Sequence, residues 1–177
     1  MASGSILPRS EVLWRYEGAD TKQRDFEPHD EAFLSNEVAR WLRDDLNQRG
    51  IVIGREVQPR RGQRTDIYVE AVARGVSDPS LQTVTVVIEV KGCWNAEVQT
   101  AVDSQLVGDY LRANGLTHGV YLVGWFVCDI WKTPRNKLVS GTLDLARQEV
   151  GQLVSAYDGK ATPERVNGIV LDYRYPA

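Results

Sequence analysis

Residues 83–91 read TVTVVIEVK, and this run has the strongest strand propensity in the chain. Because side chains alternate between the two faces of a strand, Val87, Glu89 and Lys91 point to one face and the apolar residues between them to the other. Apolar residues on both faces predict a central strand that is buried on both sides. A carboxylate and an ammonium at the end of such a strand are costly unless a partner or an ion compensates them. A Glu-Lys pair at a solvated strand end is the alternative.

The segments before this strand predict one helix and two further strands. The helix begins with Asp30 as its N-cap and ends at Gly50. The strands cover residues 51–57 and 64–72, and residues 75–80 form the turn that leads into the central strand. Because the connections are short, we expect the three strands to pair antiparallel.

The segments after the central strand predict a second helix, a buried strand and a C-terminal helix and strand. Helical spacing runs over residues 98–110, and Asn114 and Gly115 end it. Residues 120–127 are almost wholly apolar, which is typical of a strand covered on both faces. The order of elements is therefore α-β-β-β-α-β followed by α and β, and the fold class is α/β.

The composition fits one soluble domain. The chain has 177 residues, which is enough for one substantial domain and too few for two ordinary ones. We expect the domain to cover residues 28–177, after an N-terminal arm over residues 1–27 that is partly docked through Trp14 and Tyr16. The sequence has no apolar stretch of transmembrane length, no secretory signal and only 2 cysteines, so we expect a cytoplasmic protein with no membrane partner. The net charge of −3 argues against coating of nucleic acid by bulk positive charge, so any such contact comes from a local patch.

A second carboxylate, Asp66, lies early in the strand that precedes Glu89. If the two strands pair through the turn between them, Asp66 falls close to Glu89. Two neighbouring carboxylates raise the pKa of at least one of them unless a cation lies between them. A hard divalent ion such as Mg²⁺ prefers oxygen ligands of this kind, and Lys91 would point at the same site. A solvated strand start is the alternative for Asp66.

Two further polar residues lie on the predicted helices. Glu37 lies at the margin of the apolar stripe of the first helix, where it is either a site residue or a surface carboxylate paired with Arg40 or Arg43. Gln105 occupies a stripe position where an apolar residue is expected. Because a buried amide needs hydrogen-bond partners, Gln105 is either tied to the backbone in the core or directed at the strands. Tyr110 lies on the same helix as Gln105.

These residues together resemble the PD-(D/E)XK nuclease superfamily, also called restriction-endonuclease-like, and most closely its RecB-like members. The signature reads Thr65-Asp66 and then Glu89-Val90-Lys91, without the proline that names the motif. The likeness runs from the first helix to the strand after the second helix, which is about half of the chain. It implies an αβββαβ core with a mixed sheet flanked by helices, extended here by the C-terminal helix and strand.

The resemblance also implies a role for each motif residue. Asp66 and Glu89 would bind a catalytic Mg²⁺ or Mn²⁺, with the Val90 carbonyl as a further ligand. Lys91 would orient the attacking water and help it to lose its proton. A lysine in low dielectric beside a metal can have a lowered pKa, which fits this role.

The helix residues have roles by resemblance as well. Glu37 would hold metal-bound water or a second ion, and Gln105 would steady the site or touch the substrate backbone. The tyrosine of the motif, Tyr110, stands one place further from Gln105 than in the usual Q-x-x-x-Y spacing.

Two basic segments flank the predicted site. Arg60, Arg61 and Arg64 lie just before Asp66, and Lys132 and Arg135 follow the apolar strand. Arginine forks suit phosphate oxygens, so both segments are candidates for contact with a nucleic-acid backbone. Solubilising loops that pair with the many acidic residues are the alternative.

The function that the resemblance implies is metal-dependent hydrolysis of DNA phosphodiester bonds by an activated water. Such domains often serve restriction, repair or antiviral defence in bacteria, sometimes as the effector part of a larger protein. Cutting both strands usually needs two sites, which favours a homodimer. The alternative is a nuclease-like domain without turnover that binds nucleic acid or acts in assembly, and a ribonuclease on the same scaffold is a third reading.

Overall fold

A five-stranded mixed sheet carries the fold. The computed structural model of the chain describes residues 10–17, 25–46, 49–55, 66–74, 81–127 and 141–174. In chain order the elements are β1 (Trp14–Glu17), β2 (Asp25–Pro28), α1 (Glu31–Leu46), β3 (Ile51–Arg55), β4 (Ile67–Arg74), β5 (Leu81–Gly92), α2 (Val102–Arg112), β6 (His118–Trp125), α3 (Leu143–Val154) and β7 (Arg165–Asp172).

The strands of this sheet follow the order β3-β4-β5-β6-β7. The first three pair antiparallel, whereas β5, β6 and β7 run parallel. The predicted α/β class and the antiparallel pairing of the first three strands are therefore confirmed. The strand that contains residues 83–91 is the middle one, and it is longer than predicted at both ends. β4 begins at Ile67, later than the predicted start at residue 64.

Helix α1 begins where the sequence predicts. Asp30 is its N-cap, because its Oδ1 accepts the backbone N–H of Phe33 at 2.8 Å. One stripe of the helix, with Leu34 and Val38, is buried in the core. Beyond the end of the helix, Gly50 has a φ of +68°, a conformation that favours glycine.

Helix α2 differs from the prediction in its bounds and its winding. Residues 96–100 form turns, and the helix over Val102–Arg112 has π winding, the type in which hydrogen bonds join residues five apart. Gly115, with a φ of +66°, follows its end, and the Leu116 N–H donates to the Leu111 carbonyl at 2.9 Å. Among the described residues, no helix is both long and apolar enough to cross a membrane.

The helices cover both faces of the sheet. A Cβ atom built on Gly124 of β6 would lie 2.9 Å from Leu34, so α1 packs on that face. Gly119 of the same strand packs beneath Leu106 of α2, and Gly168 of β7 packs beneath α3. Because positions 119 and 124 are an odd number of residues apart in one strand, α2 and α3 lie on the face opposite α1.

The part of the N-terminal arm that the structure describes is docked. Leu13 and Trp14 are buried, and Trp14 Nε1 donates to the Tyr173 carbonyl at 2.9 Å. The Trp14 ring packs edge-on against Phe126 with 5.3 Å between centroids. Strands β1 and β2 pair as a separate two-stranded sheet that leads into α1. The side chain of Tyr16 lies outside the described residues.

We predict that Leu34→Ala destabilises the protein by about 3 kcal/mol, because it leaves a cavity between α1 and the sheet where Leu34 is 1% exposed. This loss corresponds to a fall in Tm of roughly 6–12 °C for a domain of this size. Leu145→Ala is the matched control, since Leu145 on α3 is 42% exposed, and it should change Tm by less than about 2 °C. Thermal unfolding followed by circular dichroism measures both, and equal shifts would contradict the packing of α1 described above.

Candidate functional site

Two carboxylates lie on neighbouring strands at one end of the sheet. In the antiparallel pairing of β4 with β5, Ile67 is opposite Ile88, so the preceding Asp66 lies opposite Glu89 and on the same face. Asp66 Oδ2 accepts the backbone N–H of Val90 at 2.9 Å. The structure therefore brings together the two carboxylates that the strand pattern predicted to be neighbours.

Glu89 is a buried acid beside a buried base. Its residue is 2% exposed, and its Oε1 lies 2.9 Å from Nζ of Lys91. Its other oxygen, Oε2, is buried and has no hydrogen-bond partner among the described residues. Burial, followed by the negative charge of Asp66, raises the pKa of Glu89 to about 8, although Lys91 opposes the shift. These surroundings favour the binding of a proton or a cation by Glu89.

Lys91 lies among carboxylates, and their charges determine the direction of its pKa. Burial alone would lower the pKa of Lys91, but the negative charges of Glu89, Glu31 and Asp66 outweigh burial and raise it above its ordinary value. The lowered pKa is expected for Lys91 beside a bound metal ion, so that expectation stays a prediction.

Glu31, in the first turn of α1, is a site residue that the sequence analysis missed. Its Oε1 accepts the Gly92 N–H at 2.8 Å, and its Oε2 lies 3.9 Å from Lys91 Nζ. Burial raises the pKa of Glu31, although its hydrogen bonds and the charge of Lys91 oppose the shift. Glu31 precedes the buried Leu34 and Val38 by three and seven residues, so it continues their stripe. This spacing could have identified Glu31 from the sequence, but an acidic residue in the first turn of a helix is usually explained by its favourable interaction with the helix dipole.

Glu37 lies elsewhere on the same helix. Its carboxylate accepts two hydrogen bonds from the guanidinium of Arg40, the shorter at 2.5 Å. The predicted pairing of Glu37 with Arg40 is therefore confirmed, although the Glu37 side chain is only 15% exposed. Glu37 is six residues beyond Glu31, about 9 Å further along the axis and roughly 120° around it. Glu31, and not Glu37, is therefore the carboxylate of α1 that lies beside Lys91.

The two motif residues of α2 have different surroundings. Gln105 Nε2 donates to Glu97 Oε2 at 2.7 Å, so its described partner is a carboxylate just before the helix. Tyr110 is half-buried, and its pKa is raised by burial and then by the charges of Glu89 and Asp66. Because π winding stacks residues that are five apart, the extra residue between Gln105 and Tyr110 still leaves them on one side of the helix. The charges of the acid pair therefore reach Tyr110.

The basic segments cannot be placed at the site. Arg60, Arg61, Arg64, Lys132 and Arg135 all lie outside the described residues. Their contact with a nucleic-acid backbone stays a prediction from the sequence.

The donor set at the site is made of oxygens. Asp66 and Glu89 supply carboxylates, and the unpartnered Oε2 of Glu89 is a buried acceptor whose lone pairs lack a donor among the described residues. Hard divalent cations prefer such ligands, so these residues fit Mg²⁺ or Mn²⁺. Within the described part of the chain, no group of three or more His, Cys, Asp or Glu residues is placed so that together they could hold a metal ion. Comparison with protein-family models, curated proteins and solved structures finds no match for this chain.

We predict that Glu89→Gln flattens the pH dependence of stability. Because the pKa of Glu89 rises from 4.5 to about 8 on folding, the folded state alone keeps this proton between those pH values. The free energy of unfolding therefore falls as pH rises through that window, by an amount on the order of 2–4 kcal/mol. A glutamine does not titrate, so the Glu89→Gln variant should not show this fall in the free energy of unfolding. Urea unfolding at pH 5 and pH 9 in EDTA measures the difference, with Asp144→Asn, at an exposed carboxylate on α3, as the control. Parallel pH profiles for the wild-type protein and Glu89→Gln would contradict the burial of this charge.

Proposed function

We propose that this chain is a metal-dependent nuclease domain of the PD-(D/E)XK type that hydrolyses phosphodiester bonds in DNA. The observation that carries the proposal is the ion pair of Lys91 with Glu89, 2.9 Å long, on the strand next to Asp66. The order of elements from α1 to β6 is also the order that the superfamily resemblance implies. The site lies at the carboxyl end of β5, where the parallel strands of an α/β sheet commonly present their ligand sites.

The residues that would hold Mg²⁺ or Mn²⁺ are Asp66 and Glu89, with the carbonyl of Val90, the residue after Glu89, as a further ligand. When bound, the ion supplies positive charge that stabilises the developing phosphoryl charge and lowers the pKa of a coordinated water. The fit rests on the Oε2 of Glu89, which is buried and has no hydrogen-bond partner among the described residues.

The protein residues have separable roles in this proposal. Glu89 and Asp66 hold negative charge at one place, so that a cation binds there rather than elsewhere on the surface. Lys91 Nζ donates a hydrogen bond to the attacking water and orients it, and its positive charge favours loss of the water proton. The Tyr110 hydroxyl, which the charges of both acids reach, stays protonated and can donate to a phosphate oxygen.

A domain without turnover is the second reading. What favours it is that the ammonium of Lys91 already has carboxylate partners in Glu89 and Glu31, as in a structural ion pair. DNA cleavage and metal binding separate the two readings, because a structural pair would support neither.

We predict that the protein converts supercoiled plasmid to nicked or linear DNA with Mg²⁺ or Mn²⁺ and that EDTA stops the reaction. Glu89→Gln and Lys91→Met should each slow cleavage by about 100-fold or more, because one removes a ligand and the other the group that orients the water. Asp144→Asn, purified in the same way, is the control and should retain the full rate. Cleavage that survives Glu89→Gln and Lys91→Met would refute the site, and no cleavage by any preparation would favour the domain without turnover.

We predict that Mn²⁺ stabilises the wild-type protein but not Asp66→Asn. A ligand that binds only the folded state at 100 times its Kd stabilises the protein by about 2.7 kcal/mol. The site variant loses one of its two carboxylate ligands, so its Tm should barely move. Calorimetric titration and thermal unfolding with Mn²⁺ measure this without any need for catalysis. An equal Mn²⁺ effect in Asp66→Asn would place the ion elsewhere on the protein.

A further inference from the structure

In the turn after β5, Asn95 donates a hydrogen bond to Glu31 of α1, and Glu31 lies beside Lys91. We propose that Glu31 and Asn95 act as a pair of positioning residues that hold the Lys91 ammonium toward the open side of the site. The proposal rests on the nuclease function proposed above, although part of its test is independent of that function.

The carboxylate of Glu31 is held by donors on both oxygens. Its Oε1 accepts from the Gly92 N–H at 2.8 Å and from Asn95 Nδ2 at 2.7 Å. Its Oε2 accepts from the same Asn95 nitrogen at 2.8 Å and lies 3.9 Å from Lys91 Nζ. Hydrogen bonds to a charged acceptor are stronger than neutral ones, so this arrangement restricts the rotamer of Glu31. Glu31 therefore presents its charge to Lys91 from a defined position.

The orientation of Asn95 is set by its own turn. Asn95 Oδ1 accepts the Glu97 N–H at 2.7 Å, which leaves the amide nitrogen of the side chain to face Glu31. The Asn95 backbone N–H donates to the Gly92 carbonyl at 2.9 Å, which closes the turn on the end of β5. An asparagine that bonds the backbone two residues on is a stable turn element in its own right. The donor to Glu31 is therefore fixed before any substrate arrives.

Two of the carboxylates near Lys91, Glu89 and Glu31, differ in exposure, and this difference gives the ammonium a direction. The side chain of Glu89 is 2% exposed, whereas that of Glu31 is 25% exposed. Lysine carries its charge on a flexible stem, so its position depends on where the surrounding charges are. With Glu89 alone, the ammonium would be drawn only into the sheet. Glu31 adds attraction toward the more open side, from which water and a phosphodiester would enter.

The experiment uses Glu31→Gln, Asn95→Ala and the double variant, with Asn167→Ala at an exposed position of β7 as the matched control. The first readout is hydrogen exchange of the Lys91 ammonium, followed by ¹⁵N NMR in the absence of metal. The second is the kcat and KM of DNA cleavage in Mg²⁺. Asn95→Asp keeps the side-chain shape but sets a second carboxylate against Glu31, and it replaces Asn95→Ala if that variant does not fold.

We expect Glu31→Gln and Asn95→Ala to lose the slowly exchanging ammonium signal of Lys91 and to lower kcat by about 10- to 100-fold, with KM unchanged. Because Asn95 acts through Glu31, the double variant should be no slower than Glu31→Gln alone. Additive losses, or a retained ammonium signal in both single variants, would overturn the proposal. If the wild-type protein cleaves no DNA, the nuclease function fails, while the exchange measurement still decides whether Glu31 and Asn95 hold Lys91.

Discussion

Glu89 and Lys91 form a buried ion pair at the end of β5, where water solvates neither charge well. The residues around the pair must therefore compensate these charges. A buried carboxylate is tolerated when it is neutralised by a proton, an ammonium or a metal ion. Here the ammonium is two residues away on the same strand face and 2.9 Å distant in space. The end of β5 is consequently a place where charge balance, rather than packing, determines which residues are acceptable.

Among the residues that the structure describes, carboxylates outnumber ammonium groups at this point. Asp66, Glu89 and Glu31 supply three carboxylates against the single ammonium of Lys91. The same excess of negative charge explains two properties that look unrelated. Together with burial, it raises the pKa of Glu89, and in the proposed function it attracts a hard divalent ion. In that function a proton and a metal ion would compete for the Glu89 carboxylate.

The strand part of the site was predictable because its geometry is local. Period-two alternation puts Glu89 and Lys91 on one face, and a short antiparallel connection puts Asp66 opposite Glu89. The helical part was not predictable to the same degree. Gln105 donates a hydrogen bond to Glu97. Tyr110 lies where the charges of Glu89 and Asp66 act on it, on a helix with π winding. A sequence pattern analysed with the α-helical period does not reveal this winding.

By itself, the sequence determined the α/β class, the central strand, the N-cap of α1 and the pairing of Asp66 with Glu89, since each depends on neighbours along the chain or on one short turn. Only the tertiary structure decided which acid of α1 meets Lys91. That choice depends on how α1 is rotated and placed along the sheet, and the contact of Leu34 with Gly124 sets both. Packing between distant segments therefore places Glu31, in the first turn of α1, at the end of β5 beside Lys91, and leaves Glu37 further along the helix with Arg40.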